Sequence, residues 1–498
     1  MINKKSLLYN EYSLYVFSFF ISILTYGFAL TNYSLTVDSE SPAFPDYSMS
    51  LGRWGTNLIR YRIFEGHLPY FTLLLGLLFL SLSAVELTKI FRLKNIYSFI
   101  FCALFLSVPQ HAYQLAFTMQ ADAVPIGFYC SILGVHLFIS NISNLKEINS
   151  VIKLLFSCLL ITFTIAIYQA LVFIPVITYL VFIFININEK TFVFKYELKR
   201  LLCFILLMVI SLILYYLSVK LFCPPIEDGY LSSYTAGGDN NRFVDFYNLW
   251  IDNIRGDFYY GDKTFLFASI SSLFLIVSFA IEKKNFFIKL LCLLTLLITP
   301  FFISFFITNG SNPPRLYVSS TIIFGFLITY LIMKINISYI KQYLFIIILL
   351  VCSNIYLITN LFYSNYKIFN HDVTIAKKIE TTIQNKYPDF DSNTDYVYFY
   401  GALPESNYEK LKLPNSEVFG GSLFAWDGGN NWRIINFFRF NDIAYFRFLD
   451  DKRSFDLIKD SIPAMPQWPS SESVKKINNV VVVKIGSTPG ALLPLQQK

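Results

Sequence analysis

Runs of about twenty apolar residues recur through the first three quarters of this chain, and each is long enough to cross a bilayer as a helix. Only 15% of the 498 residues are charged, whereas a soluble globular protein carries about 25%. The pattern therefore predicts a polytopic α-helical membrane protein with about eleven transmembrane helices. The predicted spans are 13–31, 68–88, 96–108, 123–140, 152–168, 171–187, 201–222, 264–281, 288–307, 317–333 and 343–363.

Lysine and arginine residues of the predicted loops are divided unevenly between the two sides of the membrane. Sixteen lie on one side and eight on the other, although the second side has the longer loops. Because basic loops favour the cytoplasm, we expect a cytoplasmic N-terminus, and an odd number of spans places the C-terminal segment on the trans side. The long segments 32–67, 223–263 and 364–498 then also face that side. A site there has no access to cytoplasmic nucleotide sugars or ATP, so its donor should be a lipid-anchored activated group.

Segment 364–498 differs from the rest because it is highly charged and lacks a long apolar run. Tyr396–Tyr400 and Val480–Ile485 are rich in β-branched or aromatic residues and are predicted to be strands. Apolar residues at helical spacing predict a short helix over 371–385. We therefore divide the chain into a transmembrane catalytic domain, 1–363, and a small C-terminal α/β domain, 364–498.

Two acids, Asp38 and Glu40, lie just past the first predicted span. On an extended segment both side chains would point to the same side, because successive residues alternate. A carboxylate held there could deprotonate a sugar hydroxyl as the hydroxyl attacks an anomeric carbon. The competing interpretation is a pair of solvated loop acids.

Arginines follow the acids on a segment whose apolar residues recur at helical spacing between Pro45 and Gly66. Arg53 and Arg60 fall on the opposite face, where a guanidinium could bind a phosphate bidentately. An interfacial helix that meets anionic lipid headgroups would have the same pattern. Arg315 stands behind two prolines at the mouth of a later span; it could bind phosphate or simply mark the membrane interface.

Polar residues that could bind a sugar occur in two regions. Gln110, Asp122 and Gln169 lie near the trans ends of predicted spans, where lining of a sugar cavity and ordinary loop polarity are the two interpretations. Segment 420–433 joins glycine pairs to aromatic and polar side chains that could stack on a sugar ring or bond its hydroxyls, although a glycine-rich turn between strands is the alternative. Its candidate residues are Trp426, Asp427, Asn430 and Arg433.

Several classes of site are disfavoured by the sequence. All seven cysteines lie in or beside predicted spans, so the C-terminal segment has no disulfide framework. Neither a CxxC pair nor a nucleotide-binding glycine motif is present, and we predict no metal site and no cofactor. The net charge of +7 comes mainly from loop lysines and does not indicate a nucleic-acid partner.

Taken together, these features resemble the type II family of bacterial serotype-converting O-antigen glucosyltransferases. The resemblance covers nearly the whole chain and rests on the order of its motifs along one scaffold with about eleven spans. After the acid-bearing first loop, these motifs are GRW (Gly52–Trp54), IYQA (Ile167–Ala170), PPR (Pro313–Arg315) and SLFAWDGGNNWRI (Ser422–Ile434).

The resemblance implies a GT-C-like membrane enzyme of the bacterial inner membrane, with its C-terminal domain in the periplasm. Such an enzyme would transfer glucose from undecaprenyl phosphate glucose to a lipid-linked O-antigen acceptor. By the same analogy Asp38 or Glu40 would be the base, and Arg53, Arg60 and Arg315 would contact phosphate. A divalent cation assists some members of the wider class, but no ligand set is evident here. The alternatives are an O-antigen polymerase or ligase, a polyprenyl-linked glycan transporter, and a non-catalytic scaffold.

Overall fold

The computed structural model of the protein divides into two compact units. The first, here the membrane unit, contains Met1–Thr31 and Phe44–Thr359, and the second, the sheet unit, contains Asn32–Ala43 and Asn360–Lys498. Glu40 and the loop containing 225–241 lie outside the residues that the structure describes. Those residues are 11–39, 45–64, 66, 68–189, 192–224, 242–305, 307, 312–335, 339–450 and 452–487.

The membrane unit is built almost entirely from helices. The third of them, α3, continues directly into a turn of π-helix over Leu58–Ile63. The helices are α1 (Glu11–Thr31), α2 (Pro45–Ser50), α3 (Trp54–Asn57), α4 (Phe71–Ile90), α5 (Ile96–Leu106), α6 (Pro109–Leu115), α7 (Ala123–Asn141), α8 (Ile148–Ile167), α9 (Phe173–Asn188), α10 (Phe194–Phe222), α11 (Arg242–Arg255), α12 (Lys263–Glu282), α13 (Phe286–Ile298), α14 (Ser320–Lys334) and α15 (Ile340–Lys386).

Nine helical segments within the described ranges are long and apolar enough to cross a membrane, so the chain is a polytopic membrane protein. Each predicted span overlaps a helix, but the third and tenth spans do not correspond to one long helix. The third overlaps α5, which is followed by α6 after a bend of 50°, and the tenth overlaps α14, which has only 15 residues. The count of eleven spans therefore stays a prediction.

Small residues allow α7 and α8 to pack closely. A β-carbon on Gly134 would lie 3.1 Å from the Ile161 side chain, a tight contact, so the absence of a side chain there favours close approach of the two helices. Hydroxyls then bridge the contact: Ser157 donates to the Gly134 carbonyl at 2.7 Å, and Thr164 donates to the Gly127 carbonyl at 3.0 Å. Such close approach, with buried hydroxyl bonds, is how helices associate where water gives no hydrophobic driving force. The packing fixes the end of α8, which leads into the IYQA motif.

The sheet unit contains a four-stranded sheet in the order β2-β1-β4-β3. β1 pairs in parallel with β2 and β4, whereas β3 and β4 form an antiparallel pair. Alternate residues of β1 enter different cores, with Val397 and Phe399 on one face and Tyr396 and Tyr398 on the other. Burial on both faces explains why the central strands are continuous apolar runs. The strands are β1 (Tyr396–Tyr400), β2 (Arg447–Phe448), β3 (Val474–Ile477) and β4 (Val480–Lys484), and the additional helices are α16 (Asn431–Phe440) and α17 (Lys452–Ile458).

The helix predicted over 371–385 is present but is not a separate element. It is the last part of α15, a helix of 47 residues that contains neither proline nor glycine. Residues 340–359 of this helix belong to the membrane unit, and residues 360–386 belong to the sheet unit.

The segment that follows α1 folds as part of the sheet unit. Leu35 is buried in the same core as Val397. The side-chain amide of Asn365 donates to the Ser34 hydroxyl at 2.9 Å and to the Leu35 carbonyl at 3.2 Å. The division of the structure is therefore discontinuous in sequence. It differs from the predicted contiguous domains 1–363 and 364–498, whose separate roles stay predictions.

Candidate active site

The candidate base Asp38 lies in a tight turn of the sheet unit. The Ser39 amide donates to the Thr36 carbonyl at 3.1 Å and closes the turn. Asp38 itself has a left-handed backbone with φ of 70°, a conformation that aspartate tolerates better than most residues. Its side chain is 60% exposed. The turn therefore presents a carboxylate at the surface of the unit.

Arg433 connects this carboxylate to a second one. Its Nη2 donates to Asp38 Oδ1 at 2.8 Å, and its Nε donates to Asp427 Oδ2 at 2.6 Å. The arginine side chain is only 14% exposed. The structure thus brings Asp38 of the first loop together with Asp427 and Arg433 of segment 420–433. The two charge-assisted bonds fix the guanidinium between the acids.

The segment that carries Asp427 and Arg433 has a backbone that requires glycine. Asp427 has φ of 50° and Gly429 has φ of 83°, and a β-carbon on Gly429 would lie 2.3 Å from the Gly401 carbonyl oxygen. The Asn430 side chain then accepts from the Trp432 amide at 2.9 Å and caps the start of α16. This places Arg433 in the first turn of a capped helix.

Asn431 hydrogen-bonds the start of α16 to strand β1. Its side-chain oxygen accepts from the Phe399 amide at 2.6 Å, and its amide nitrogen donates to the Phe399 carbonyl at 2.5 Å. The paired bonds satisfy a strand residue in both directions, as a neighbouring strand would. The position of α16, and with it that of Arg433, is therefore set by a rigid element.

Trp426 packs inside the same loop. A β-carbon on Gly421 would lie 2.2 Å from the indole nitrogen, so this glycine makes room for the ring. Asp372 holds the neighbouring backbone, because its carboxylate accepts from the Ser422 hydroxyl and from the Leu423 amide, both at 2.7 Å. Trp426 is thus partly buried, and its role in sugar binding stays a prediction.

The GRW and IYQA motifs meet in the membrane unit. Arg53 Nε donates to the Gln169 side-chain oxygen at 3.3 Å, and its guanidinium carbon lies 4.8 Å from the centre of the Tyr168 ring. Gln169 in turn donates to the Leu51 carbonyl at 2.8 Å and to the Tyr215 hydroxyl at 2.9 Å. In this structure the Gln169 amide therefore holds the turn before Arg53, while Arg53 stays half-buried beside an aromatic face.

The sequence predicted that Arg60 lies on the polar face of the Pro45–Gly66 segment. The structure instead buries its side chain, which is 1% exposed. Arg60 Nη2 lies 2.5 Å from Asp122 Oδ1, and this carboxylate also accepts from the Ala123 amide at the start of α7. The guanidinium also donates to the Met119 carbonyl at 3.0 Å. Its further acceptors are the Gly66 and Thr118 carbonyls and the Thr72 hydroxyl.

All three nitrogens of the Arg60 guanidinium thus have protein acceptors. In this structure Arg60 and Asp122 fasten the π-helical turn to the start of α7. Their predicted contacts with phosphate and sugar have no geometric support here, since both groups are turned towards protein.

Arg315 is the last residue of the PPR motif, and its guanidinium carbon lies 4.7 Å from the Phe117 ring centre. Gln110 holds this motif by donating to the Pro314 carbonyl at 2.5 Å. The side-chain oxygen of Gln110 accepts from the Tyr259 hydroxyl at 2.9 Å and from the Ser320 hydroxyl at 2.7 Å. The buried glutamine therefore joins three parts of the membrane unit next to a candidate phosphate ligand.

Sequence reasoning placed 223–263 in a long loop but did not single out Tyr259 or Asp262 within it. Asp262, fully buried, closes this loop by accepting from the Phe258 amide at 2.6 Å. Burial raises the pKa of the Asp262 carboxyl to about 7, and the nearby acids Asp257 and Asp252 add to the rise. The signal in the sequence is the pair of glycines around the aromatic residues of 256–262, which is typical of a tight loop.

The family described as glucosyl transferase GtrII matches residues 27–332. The chain belongs to this family. Comparison with the curated proteins finds no match, and comparison with the solved structures finds none either.

Membership of the GtrII family makes this membrane protein a glucosyltransferase and confirms the resemblance seen in the sequence. The GtrII match is narrower than that resemblance, because it ends at residue 332. It includes Asp38, Arg53 and Arg315 but not the segment containing Asp427 and Arg433. Among the residues that the structure describes, no group of three or more histidines, cysteines and acids is placed to hold a metal ion.

Proposed function

We propose that this GtrII-family enzyme transfers glucose from undecaprenyl phosphate glucose to a lipid-linked O-antigen acceptor at the periplasmic face of the bacterial inner membrane. The observation that carries the proposal is the Asp38 carboxylate, presented on a turn and bonded by Arg433 at 2.8 Å, in a chain of a glucosyltransferase family. The excess of basic residues on the opposite set of loops supports the periplasmic side.

The chemistry is a single displacement at the anomeric carbon of the donor. An acceptor hydroxyl oxygen attacks C1 of glucose, and its proton passes to the carboxylate of Asp38 or Glu40. The bond from C1 to the phosphate oxygen breaks, and the electron pair leaves with undecaprenyl phosphate. Because the leaving group departs as an anion, the step needs no paired general acid, and it inverts the configuration at C1.

Arg53 and Arg315 are the proposed ligands of the phosphate. Each is half-buried and lies over an aromatic ring, at 4.8 Å and 4.7 Å respectively. A guanidinium offers planar donors that suit phosphate oxygens. Arg60 is omitted from this set because its guanidinium is already bonded to Asp122 and to backbone carbonyls. Trp426 and Asn430 are retained as proposed contacts of the acceptor sugar.

The test is glucose transfer by full-length protein in membrane vesicles that contain undecaprenyl phosphate glucose and a lipid-linked acceptor. Asp38→Asn and Glu40→Gln are compared separately, and the variant that removes the base should lower kcat by about 10²–10⁴-fold. Asp442→Asn is the matched control, since Asp442 is an exposed acid with φ of 52°, and it should leave the rate unchanged. Full activity of both test variants at normal expression would show that the proposed base is wrong. A rate that does not depend on the lipid donor would show that the proposed donor is wrong.

A further inference from the structure

Arg433 makes contacts that differ from those expected of a sugar ligand. Its guanidinium points at two carboxylates, with 2.8 Å to Asp38 and 2.6 Å to Asp427, and its side chain is 14% exposed. A group that binds sugar hydroxyls should keep donors directed at an open surface. Two of the donors here instead face acids of the same unit.

The two acids differ in how firmly the protein holds them. Asp427 sits in a backbone with φ of 50° that continues into two glycines of positive φ, and Arg433 lies in the first turn of α16, which Asn431 bonds to β1. Asp38 is 60% exposed on a short turn. Arg433 and Asp427, which rigid elements hold in place, therefore bind the exposed carboxylate of Asp38 from one side.

We propose that Arg433 is a positioning residue that orients the Asp38 carboxylate for proton transfer, and that Asp427 orients Arg433. The inference rests on the proposed function, because it gives Arg433 a role only if Asp38 is the base. The proton of the acceptor hydroxyl moves to Asp38, and Arg433 keeps its own protons, since a guanidinium does not lose them in proteins. Its contribution is the direction of the carboxylate, and a misplacement of about 1 Å can cost about 10²-fold in rate.

The experiment compares Arg433→Ala, Arg433→Lys and Asp427→Asn in the vesicle assay for glucose transfer. Arg433→Ala should lower kcat by about 10²-fold while KM for donor and acceptor changes little. Added guanidinium ion should restore part of the rate of Arg433→Ala, and lysine should restore less because it cannot reach both acids with a fixed fork. Asp427→Asn should lower kcat by a smaller factor than Arg433→Ala. Arg447→Met is the matched control, because Arg447 is an exposed arginine of the same unit, and it should leave the rate unchanged.

A double-mutant cycle separates this proposal from the proposed function. If Asp38 and Arg433 act together, Arg433→Ala should lower the residual rate of Asp38→Asn no further, and guanidinium should not rescue the double variant. An inactive Asp38→Asn together with a fully active Arg433→Ala overturns the positioning role and leaves the base in place. A fully active Asp38→Asn shows that Asp38 is not the base, which overturns the positioning role of Arg433 and leaves Glu40 as the proposed base. A raised KM for the acceptor at unchanged kcat would make Arg433 a sugar ligand and overturn the proposal.

Discussion

Breaking the buried pair of Arg60 and Asp122 should destabilise the membrane unit strongly, and variants of the two residues give the sharpest test of the packing described above. Both side chains are 1% exposed. Replacement of Arg60 by methionine leaves the Asp122 carboxylate buried without a charged partner, although it still accepts from the Ala123 amide at 2.6 Å. Replacement of Asp122 by asparagine leaves Arg60 with its carbonyl acceptors at Met119 and Gly66. The two single variants therefore differ in how much of the buried charge stays compensated.

The magnitudes follow from that difference. Removing one partner of a buried ion pair costs about 3–5 kcal/mol, so Arg60→Met should lower the free energy of unfolding by about that much. Asp122→Asn keeps a hydrogen-bond acceptor and loses only the charge, so its cost should be about 1.5–3 kcal/mol, the value of a charge-assisted bond. The double variant Arg60→Met/Asp122→Asn should be more stable than Arg60→Met alone, because it no longer buries an uncompensated carboxylate.

Unfolding of the purified protein in mixed micelles, titrated with sodium dodecyl sulfate, measures these free energies. Arg62→Met is the matched control, since Arg62 lies on the same π-helical turn but is exposed, and it should change stability by less than about 0.5 kcal/mol. The reasoning is refuted if Arg60→Met costs less than about 1 kcal/mol, or if adding Asp122→Asn to it lowers stability further.

Two further predictions use the same unfolding assay. Gly52→Ala should lower the free energy of unfolding by about 1–3 kcal/mol, because Gly52 has φ of +70° and a β-carbon there would lie 2.9 Å from the Tyr215 hydroxyl. Gly27→Ala is the control, because nothing lies within 4 Å of a β-carbon there, and it should not lower the free energy of unfolding. An equal loss at both sites would contradict this account. For Asp262, the pKa of about 7 in the folded protein exceeds the value of about 4 in an unfolded chain. The folded state then binds the extra proton between these values, so stability should fall as pH rises from about 4 to 7 and stay level above. Asp262→Asn should flatten that fall, and an unchanged pH profile would show that Asp262 is not its source.

Spans could be predicted from the sequence because hydropathy is a sum over about twenty residues and tolerates local irregularity. The second predicted span, 68–88, corresponds to α4 at Phe71–Ile90. The signal for the bend between α5 and α6 was also present, since Pro109 begins α6 and Val108 before it is extended. The polar residues after 363 are the change of composition from which the end of the last span is predicted. They did not end the helix, because α15 contains no proline or glycine.

The candidate site could be predicted only in part. Residue type and place in a loop pointed to Asp38, Asp427 and Arg433, but their pairing joins positions 395 residues apart, and no local pattern encodes that. The amphipathic periodicity placed Arg60 on an outer face because it assumed 3.6 residues per turn throughout. The turn of π-helix over Leu58–Ile63 breaks that assumption, and the buried partner Asp122 comes from another part of the chain.

The discontinuous sheet unit also sets an order for biosynthesis. Asp38 leaves the ribosome 395 residues before Arg433, and at about 5–20 residues per second this interval is about 20–80 s. During that time the turn containing Asp38 lacks Asn365, the core that receives Leu35, and the arginine that binds its carboxylate. A chain that stalls or is cut early therefore holds the acid without the contacts that arrange it. The acid of the first loop acquires its arranged geometry only after almost the whole chain has been made.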